Sequence, residues 1–373
     1  MQDDTNPLDT VSPMEEHRFP CDQCGADMRF NAAAGELVCD HCGNVTKIEG
    51  HGGHVSAIQE LDFRAALDAK LPEAEIEETR VAKCPNCGAQ VEFDEKTHAK
   101  ECPFCATPVV TDTGVHRHIK PKGLLPFGVE ERAAQEAMNK WLGKLWFAPN
   151  GLQQYARKGR RMSGIYVPYW TFDADTKSRY TGEHGTVYYV TKTVMRDGKQ
   201  VQVQEQRVRW RPAAGTVKRF FDDVLVLASR SLPKSFTDNL APWDLAALEP
   251  YRPEYLAGYR AEGYSVELPD GYDEARRYMD QVILRDVKFD IGGDRQRGHS
   301  GNTTVRDVTF KHILLPVWLA AYKYRGKSYR FVVNGRTGKV QGERPWSWIK
   351  ITIAVVLGLI VAGVVGYFAS QAQ

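Results

Sequence analysis

Eight cysteines are the residues of this sequence whose type and spacing most clearly define a chemistry. They form four Cys-x-x-Cys steps: Cys21 and Cys24, Cys39 and Cys42, Cys84 and Cys87, and Cys102 and Cys105. In each quartet 14 residues separate the two steps, and the second quartet is the first shifted by 63 residues. A Cys-x-x-Cys turn aims two thiolates at one point, so two turns make a closed tetrahedral site of four cysteines. The spacing predicts two structural Zn²⁺ ions per chain, with no open position for a substrate.

The sequence around the two quartets repeats as well. Residues 24–30 (CGADMRF) match residues 87–93 (CGAQVEF) in the pattern Cys-Gly-Ala-x-apolar-x-Phe. Short strand-like segments lie between the steps of each quartet: 28–30 and 36–39 in the first, 90–93 and 99–102 in the second. This arrangement predicts a zinc ribbon over residues 20–50, which we call ribbon 1, and another over residues 81–112, ribbon 2.

Two other interpretations of the cysteines stay open at this point. A disulfide framework requires an oxidising compartment, yet residues 1–10 (MQDDTNPLDT) have neither the basic nor the apolar region of a signal peptide. Iron also accepts four thiolates, so the sequence leaves the choice between zinc and iron undecided. Four nearby histidines lack a set of partner ligands, and we interpret them as exposed loop residues: His51, His54, His116 and His118.

Charge is distributed unevenly along the chain. Residues 1–115 contain 9 basic and 22 acidic residues, a balance of −13, whereas residues 116–373 have a balance of +15. Two Zn²⁺ sites of four thiolates each would bring the first balance to −17. Nucleic-acid-binding surfaces are basic, so the acidic charge of the ribbons favours docking of protein and argues against nucleic acid as a ligand of this region. The alternative function is that of a membrane-tethered, nucleic-acid-binding accessory protein of replication or transcription.

A long apolar segment lies near the C-terminus. Residues 351–368 (ITIAVVLGLIVAGVVGYF) carry no charge, and as a helix they are about 27 Å long, close to the hydrocarbon thickness of a bilayer. We predict a transmembrane anchor over residues 346–370. Basic residues at 339, 344 and 350 precede it and none follows, which predicts a single-pass, tail-anchored protein of the inner membrane with its N-terminal body in the cytoplasm.

Small residues recur every fourth position of this segment: Ala354, Gly358, Ala362 and Gly366. Such a stripe allows close approach of a second transmembrane helix, which would be a further partner of the chain. The alternative is that membrane helices are generally rich in small residues.

The rest of the chain predicts an α+β body of antiparallel sheet and helices. The boundaries are a disordered tail over 1–19, a helical and acidic linker over 51–80, and the body over 113–345. Helices are expected at 56–71, 128–146, 151–161 and 273–285, and strands at 186–195, 200–210, 224–228, 303–324 and 329–340. Residues 165–170 (IYVPYW) and 313–318 (ILLPVW) echo each other, and a proline inside an apolar strand predicts a sheet edge or a bulge.

Catalytic motifs are missing from the sequence. It contains no P-loop, no Gly-x-Ser-x-Gly, no His-Glu-x-x-His and no Gly-x-Gly-x-x-Gly. Asp173, Asp175 and His184 could form a hydrolytic cluster, but polar residues beside a hairpin are a simpler interpretation. We therefore predict that the protein is not an enzyme.

Three sets of residues carry a resemblance to a known family. They are the repeated CGA-x-apolar-x-Phe motif, residues 164–176 (GIYVPYWTFDADT) and residues 314–345 (LLPVWLAAYKYRGKSYRFVVNGRTGKVQGERP). The chain resembles a bacterial family of membrane-anchored proteins with two TFIIB-type zinc ribbons, often named after the helicase primosomal protein N′. The resemblance implies a non-enzymatic membrane scaffold that associates with flotillin-like (SPFH) and PspA-like proteins of the envelope-stress response. The missing P-loop gives the helicase name no support.

Overall fold

A computed structural model describes ten segments of the chain. They are residues 19–48, 58–84, 90–92, 99–101, 108–110, 115–145, 162–196, 199–324, 327–343 and 346–371. Residues 1–18 of the predicted tail over 1–19 and the predicted helix over 151–161 lie outside these residues. So do His51, His54, Cys87, Cys102 and Cys105.

The first element is the three-stranded antiparallel sheet of ribbon 1. Its strands are β1 (Arg29–Asn31), β2 (Glu36–Val38) and β3 (Val45–Lys47), in the order β1-β2-β3. Alternation places Phe30 and Leu37 inside the ribbon, where Phe30 is fully buried. This sheet confirms the predicted zinc-ribbon fold at the N-terminus.

The body is built on a sheet of nine strands among the described residues. Three of them are very long: β11 (Ser163–Arg196), β12 (Lys199–Leu227) and β15 (Arg295–Tyr324). They are antiparallel neighbours in the order β12-β11-β15. Shorter strands complete the sheet: β4 (Leu61–Asp62), β10 (Gly123–Leu124), β13 (Glu249–Pro250), β14 (Arg260–Ala261), β16 (Lys327–Asn334) and β17 (Val340–Gly342).

The two echoing motifs of the sequence pair with each other. Ile165 is opposite Val317 in the β11–β15 ladder, and Tyr169 is opposite Ile313. Pro168 and Pro316 each lie in a gap between two pairing partners. On the side of β11 away from β15, Pro168 falls between the segment paired with β14 and the segment paired with β12. On the side of β15 away from β11, Pro316 falls between the segment paired with β10 and the segment paired with β16. Both prolines therefore lie in central strands rather than in edge strands. The prediction of an edge holds only for the proline positions themselves, where no partner strand requires an N–H donor.

Helices cover this sheet. They are α2 (Glu131–Gly143), α3 (Lys234–Leu240) and α4 (Leu268–Ile291). In α4 a proline lies in the first turn, apolar residues from Ala275 to Ile291 recur on one face, and Gly292 ends the helix with a positive φ. That face packs on Trp170, Phe172 and other aromatic side chains of the sheet. The structure thus shows a mixed sheet-and-helix body, as the sequence predicted.

The segment predicted as a linker is partly built into the body. Residues 56–71 were expected to form one helix, but the described part has strand β4 followed by a helix of one turn, α1 (Phe63–Leu67). β4 pairs with β15, and Phe63 packs against Phe172 and Phe310. The pairing of β4 with a strand from the far end of the chain replaces the expected helix.

The described residues in and around ribbon 2 form five more strands. They are β5 (Ile76–Lys83), β6 (Gln90–Glu92), β7 (Ala99–Glu101), β8 (Pro108–Val110) and β9 (Val115–Ile119). β6 and β7 occur where the sequence predicted strands, but β6 pairs with β5, and β7 pairs with β8.

The last helix, α5 (Trp348–Gln371), has the length and apolarity to cross a membrane. Over Trp348–Val365 its mean hydropathy is 2.4 and none of these residues is buried. A helix that exposes an apolar surface on every side is suited to a lipid environment, because water would hydrate those side chains unfavourably.

Candidate metal centre

The four cysteines of ribbon 1 meet at one point. Their Sγ atoms all lie within 4.8 Å of one another. Cys21 Sγ is 3.5 Å from Cys42 Sγ, and Cys24 Sγ is 3.5 Å from Cys39 Sγ. Cys21 and Cys39 are buried on the inner side of the cluster, whereas Cys24 and Cys42 are exposed on the outer side.

Both Cys-x-x-Cys turns depend on a glycine. The amide of Gly25 donates to the Cys21 carbonyl at 2.8 Å, and the amide of Gly43 donates to the Cys39 carbonyl at 2.9 Å. The φ angles of Gly25 and Gly43 are +73° and +77°, a conformation that side chains with a Cβ rarely adopt. These turns bring the two thiols of each step to the same side of the ribbon.

The arrangement fits a tetrahedral metal ion. With Zn–S bonds of about 2.3 Å, the sulfur atoms of a regular tetrahedron lie about 3.8 Å apart, close to the observed separations. Burial raises the pKa of Cys21, but backbone hydrogen bonds from Gln23 and Cys24 lower it to about 6. At Cys42 a backbone hydrogen bond from Asn44 lowers the pKa, but the adjacent thiols and burial raise it to about 12. Four thiolates this close repel one another, and a divalent cation is what would let all four ionise.

Ribbon 1 is packed firmly on the body. Phe30 forms an edge-to-face contact with Tyr255 at 5.3 Å between ring centroids, and its amide donates to the Ala257 carbonyl at 3.0 Å. Cys21, Phe30 and Leu37 belong to the same hydrophobic cluster as Tyr255 and other body residues. The metal centre is therefore attached to the body through a shared core, rather than held at the end of a linker.

Ribbon 2 is described only in part. Cys84 is buried at 1% exposure and belongs to a body cluster with Leu125 and Leu240. Its three predicted co-ligands, Cys87, Cys102 and Cys105, lie outside the described residues. The second zinc site therefore stays a prediction from the repeated spacing.

A polar cluster, of which the sequence indicated only Asp173, lies where β4 joins the sheet of the body. Lys311 Nζ is 2.8 Å from Glu60 Oε1 and 2.8 Å from Asp223 Oδ1. Asp173 Oδ1 accepts the Asp223 amide at 2.8 Å, and the Thr309 hydroxyl donates to Glu60. Lys311 and Asp173 are buried. No local spacing signals this cluster, because 251 residues separate Glu60 from Lys311.

The pKa values of two groups in this cluster are strongly shifted. Burial raises the pKa of Asp173, a hydrogen bond with Glu60 raises it further, and it reaches about 7. Burial lowers the pKa of Lys311, but hydrogen bonds with Asp223 and Glu60 raise it to about 12. The site thus holds a cationic lysine among three carboxyl groups, and it fastens the segment after ribbon 1 to the sheet.

The other sequence-predicted site residues do not come together. Asp173 is in the buried cluster, whereas Asp175 is exposed. His184 lies nine residues further along β11, which is roughly 30 Å in a strand. The ring of His118 packs against Tyr264 at 4.7 Å between centroids instead of extending from a loop. The hydrolytic cluster considered from the sequence therefore has no geometric basis in these residues.

With this geometry in place, comparisons with known proteins define the class of the N-terminal module. Residues 15–46 match the family described as the zinc-finger of RNA-polymerase I-specific TFIIB, Rrn7. The match spans the cluster of Cys21, Cys24, Cys39 and Cys42, and supports one zinc ion there.

Over most of its length the chain is similar to one bacterial protein. It is 25% identical over 334 residues to the uncharacterized protein YdjG of Bacillus subtilis (strain 168), covering 89% of this chain and 91% of the relative. No solved structure matches the chain significantly. The protein thus combines an N-terminal zinc ribbon, a mixed sheet-and-helix body and one apolar helix that could cross a membrane.

Proposed function

We propose that the protein is a membrane-tethered scaffold whose N-terminal zinc-binding region, within residues 1–115, recruits protein partners on the cytoplasmic side of the membrane. The apolar helix α5 would be the tether, and the basic residues before it favour the cytoplasmic orientation of the body. The chemistry of a closed four-cysteine site supports a structural role for the metal, since no ligand position is left for a substrate.

The observation that carries this proposal is the outer surface of ribbon 1. Four acidic and two basic residues lie between residues 19 and 48, and one of the two basic residues, Arg29, is paired with Asp40 at 3.2 Å. All three residues of β3 are exposed, and Val45 is 47% exposed. An acidic surface repels phosphate, whereas an exposed edge strand with an apolar side chain is a common docking surface for a protein segment.

The resemblance to membrane-anchored double-ribbon proteins suggests which partners to expect. They would be flotillin-like (SPFH) or PspA-like proteins of an envelope-stress complex. The family name matched by residues 15–46 refers to a transcription factor of RNA polymerase I, and the acidic surface of ribbon 1 is the reason that we do not extend nucleic-acid binding to it.

Deleting ribbon 1 would be a poor test, because it would uncover the body core around Tyr255. We therefore expect the substitution Val45→Lys in the full chain, purified from detergent-solubilised membranes, to lose most of a co-purifying cytoplasmic protein. Zinc content and membrane localisation should not change, because Val45 is exposed and binds no metal. The matched control is Phe289→Lys on α4, where the side chain is 90% exposed. The proposal would be wrong if Val45→Lys kept its co-purifying proteins or if nuclease treatment removed the bound material.

A further inference from the structure

The strands β11 and β12 continue well beyond the end of β15. β15 pairs with β11 only as far as Gly185, which is opposite Arg295. From Thr186 opposite Arg209 to Arg196 opposite Lys199, no third strand among the described residues pairs with this ladder. We call residues 186–196 and 199–209 the arm; at about 3.3 Å per residue it is roughly 35 Å long.

The arm has two different faces, because successive side chains of a strand point to opposite sides. The register pairs even-numbered residues of β11 with odd-numbered residues of β12. This set, which we call the basic face, has Val194, Val201 and Val203 among Lys192, Arg207 and Arg209. The opposite set, the neutral face, contains no charged residue and is composed mainly of glutamine, threonine, tyrosine and valine. The charge of the arm is thus confined to one side.

On the basic face, exposed apolar side chains lie close to cationic ones, and Val203, for example, is opposite Lys192. Val194, Val201 and Val203 are 39%, 41% and 45% exposed. The single acidic residue of this face, Glu205, is paired with Lys192 and lies 3.4 Å from Arg207. These ion pairs lower the pKa of Glu205, so its charge is already compensated within the face.

We propose that the basic face of the arm lies on an anionic lipid surface, as a membrane contact separate from α5. Cations would approach lipid phosphates, and the valines between them would enter the headgroup region. Charge complementarity favours this occupant over a second copy of the chain, because two basic faces repel each other. The exposed valines favour it over nucleic acid, which would contact the cations and leave the valines in water. The inference is independent of the recruitment role proposed for ribbon 1.

The test uses the chain ending at residue 345, so that α5 cannot dominate binding. None of Trp348–Val365 is buried, so the body does not cover this part of α5. We expect this chain to sediment with vesicles that contain phosphatidylglycerol and not with vesicles of phosphatidylcholine alone. Binding should weaken with added salt, as it does for charges near an anionic surface.

Two double variants of β12 form a matched pair. Val201→Glu with Val203→Glu should reduce vesicle binding by at least about ten-fold, because it places two negative charges on the basic face. Gln202→Glu with Gln204→Glu makes the same change in net charge on the neutral face, and should keep binding within about three-fold. An equal loss in both variants, or no loss in either, would overturn the assignment of the lipid contact to the basic face.

A third variant separates lipid from nucleic acid. Val201→Thr with Val203→Thr keeps shape and charge but removes apolar surface, so vesicle binding should fall while any binding to duplex DNA should not. Arg207→Gln with Arg209→Gln should weaken vesicle binding by roughly five-fold per arginine. Unchanged vesicle binding in the threonine variant, together with micromolar binding of the parent chain to DNA, would replace the lipid assignment with nucleic acid.

Discussion

At the scale of single residues, the burial of Asp173 disfavours the charged form of its carboxyl group. Its pKa of about 7 in the folded state lies above the ordinary value near 4 expected in an unfolded chain. Its carboxyl group therefore contributes stability while it is protonated. That contribution is complete below about pH 4 and is lost as the pH rises through about 7.

Replacing Asp173 by asparagine should remove this pH dependence. Asparagine imitates the protonated carboxyl and keeps an oxygen that can accept the Asp223 amide. In urea unfolding of the chain ending at residue 345, Asp173→Asn should become more stable relative to the parent by about 1–2 kcal/mol between pH 5 and pH 8. Asp175→Asn, at an exposed position of the same strand, is the control and should show no such change. A constant difference for Asp173→Asn across this range would contradict the shifted pKa.

The sequence predicts the contacts of some site residues and not of others. The cysteines of ribbon 1 were identifiable because a Cys-x-x-Cys turn places its ligands by local geometry alone. The Glu60–Lys311 pair was not, because only the pairing of β4 with β15 brings residues from distant parts of the chain together. Asp173 was noticed as a polar residue, but its environment depends on the same long-range pairing.

At the scale of elements, ribbon 1 and the body share a core. The sequence predicted the ribbon as a module, and β1 and β2 are as expected, whereas β3 was not predicted. The contact of Phe30 with Tyr255 and Ala257 follows from nothing local in either segment. Because small ribbons take most of their folding free energy from the metal, the metal should also stabilise this part of the body.

Replacing Cys39 by serine tests that link. Cys39 is a buried member of the four-cysteine cluster, so the variant should lose one zinc equivalent from the roughly two per chain predicted by the repeated spacing. Amide hydrogen exchange should increase in residues 28–48 and also in residues 253–259. Asp40→Asn, an exposed neighbour outside the cluster, should retain its zinc and change exchange little. Loss of zinc without faster exchange in 253–259 would show that the body holds its shape without the ribbon.

Element lengths were less predictable than element types. The pairing of β11 with β12 and the helices α2 and α4 were expected, but these two strands are about three times longer than the alternation indicated. Residues 163–172 are nearly all buried, so they form a continuous apolar run without alternation. A strand of this length is defined by its neighbours on both sides, one of which comes more than 100 residues later.

At the scale of the whole molecule, the chain is polarised in charge and in solvent preference. The acidic residues 1–115 include the metal centre, and the basic residues 116–373 include the long strands of the sheet. The helix α5 exposes an apolar surface that is unfavourable in water. The arm lies at the end of β11 opposite to the pairing of β16 and β17, which precedes α5. Contact of both α5 and the arm with lipid would require the long sheet to lie along the membrane surface, because the two contacts are at opposite ends of β11. Ribbon 1, which packs on the body, would then also lie near that surface.

The last prediction concerns α5 as the membrane anchor of the chain. Ending the chain before Trp346 should move the protein from the membrane fraction to the soluble fraction at low concentrations of anionic lipid, because the arm alone binds reversibly whereas a spanning helix does not. Protease added outside intact cells should leave ribbon 1 of the full chain uncut, since the basic residues before α5 favour retention of the body in the cytoplasm. After the cells are opened, the same protease should cleave the chain, which controls for intrinsic resistance. Cleavage of ribbon 1 in intact cells would reverse the orientation, and a truncated chain that resists extraction by high salt would show that α5 is not the tether.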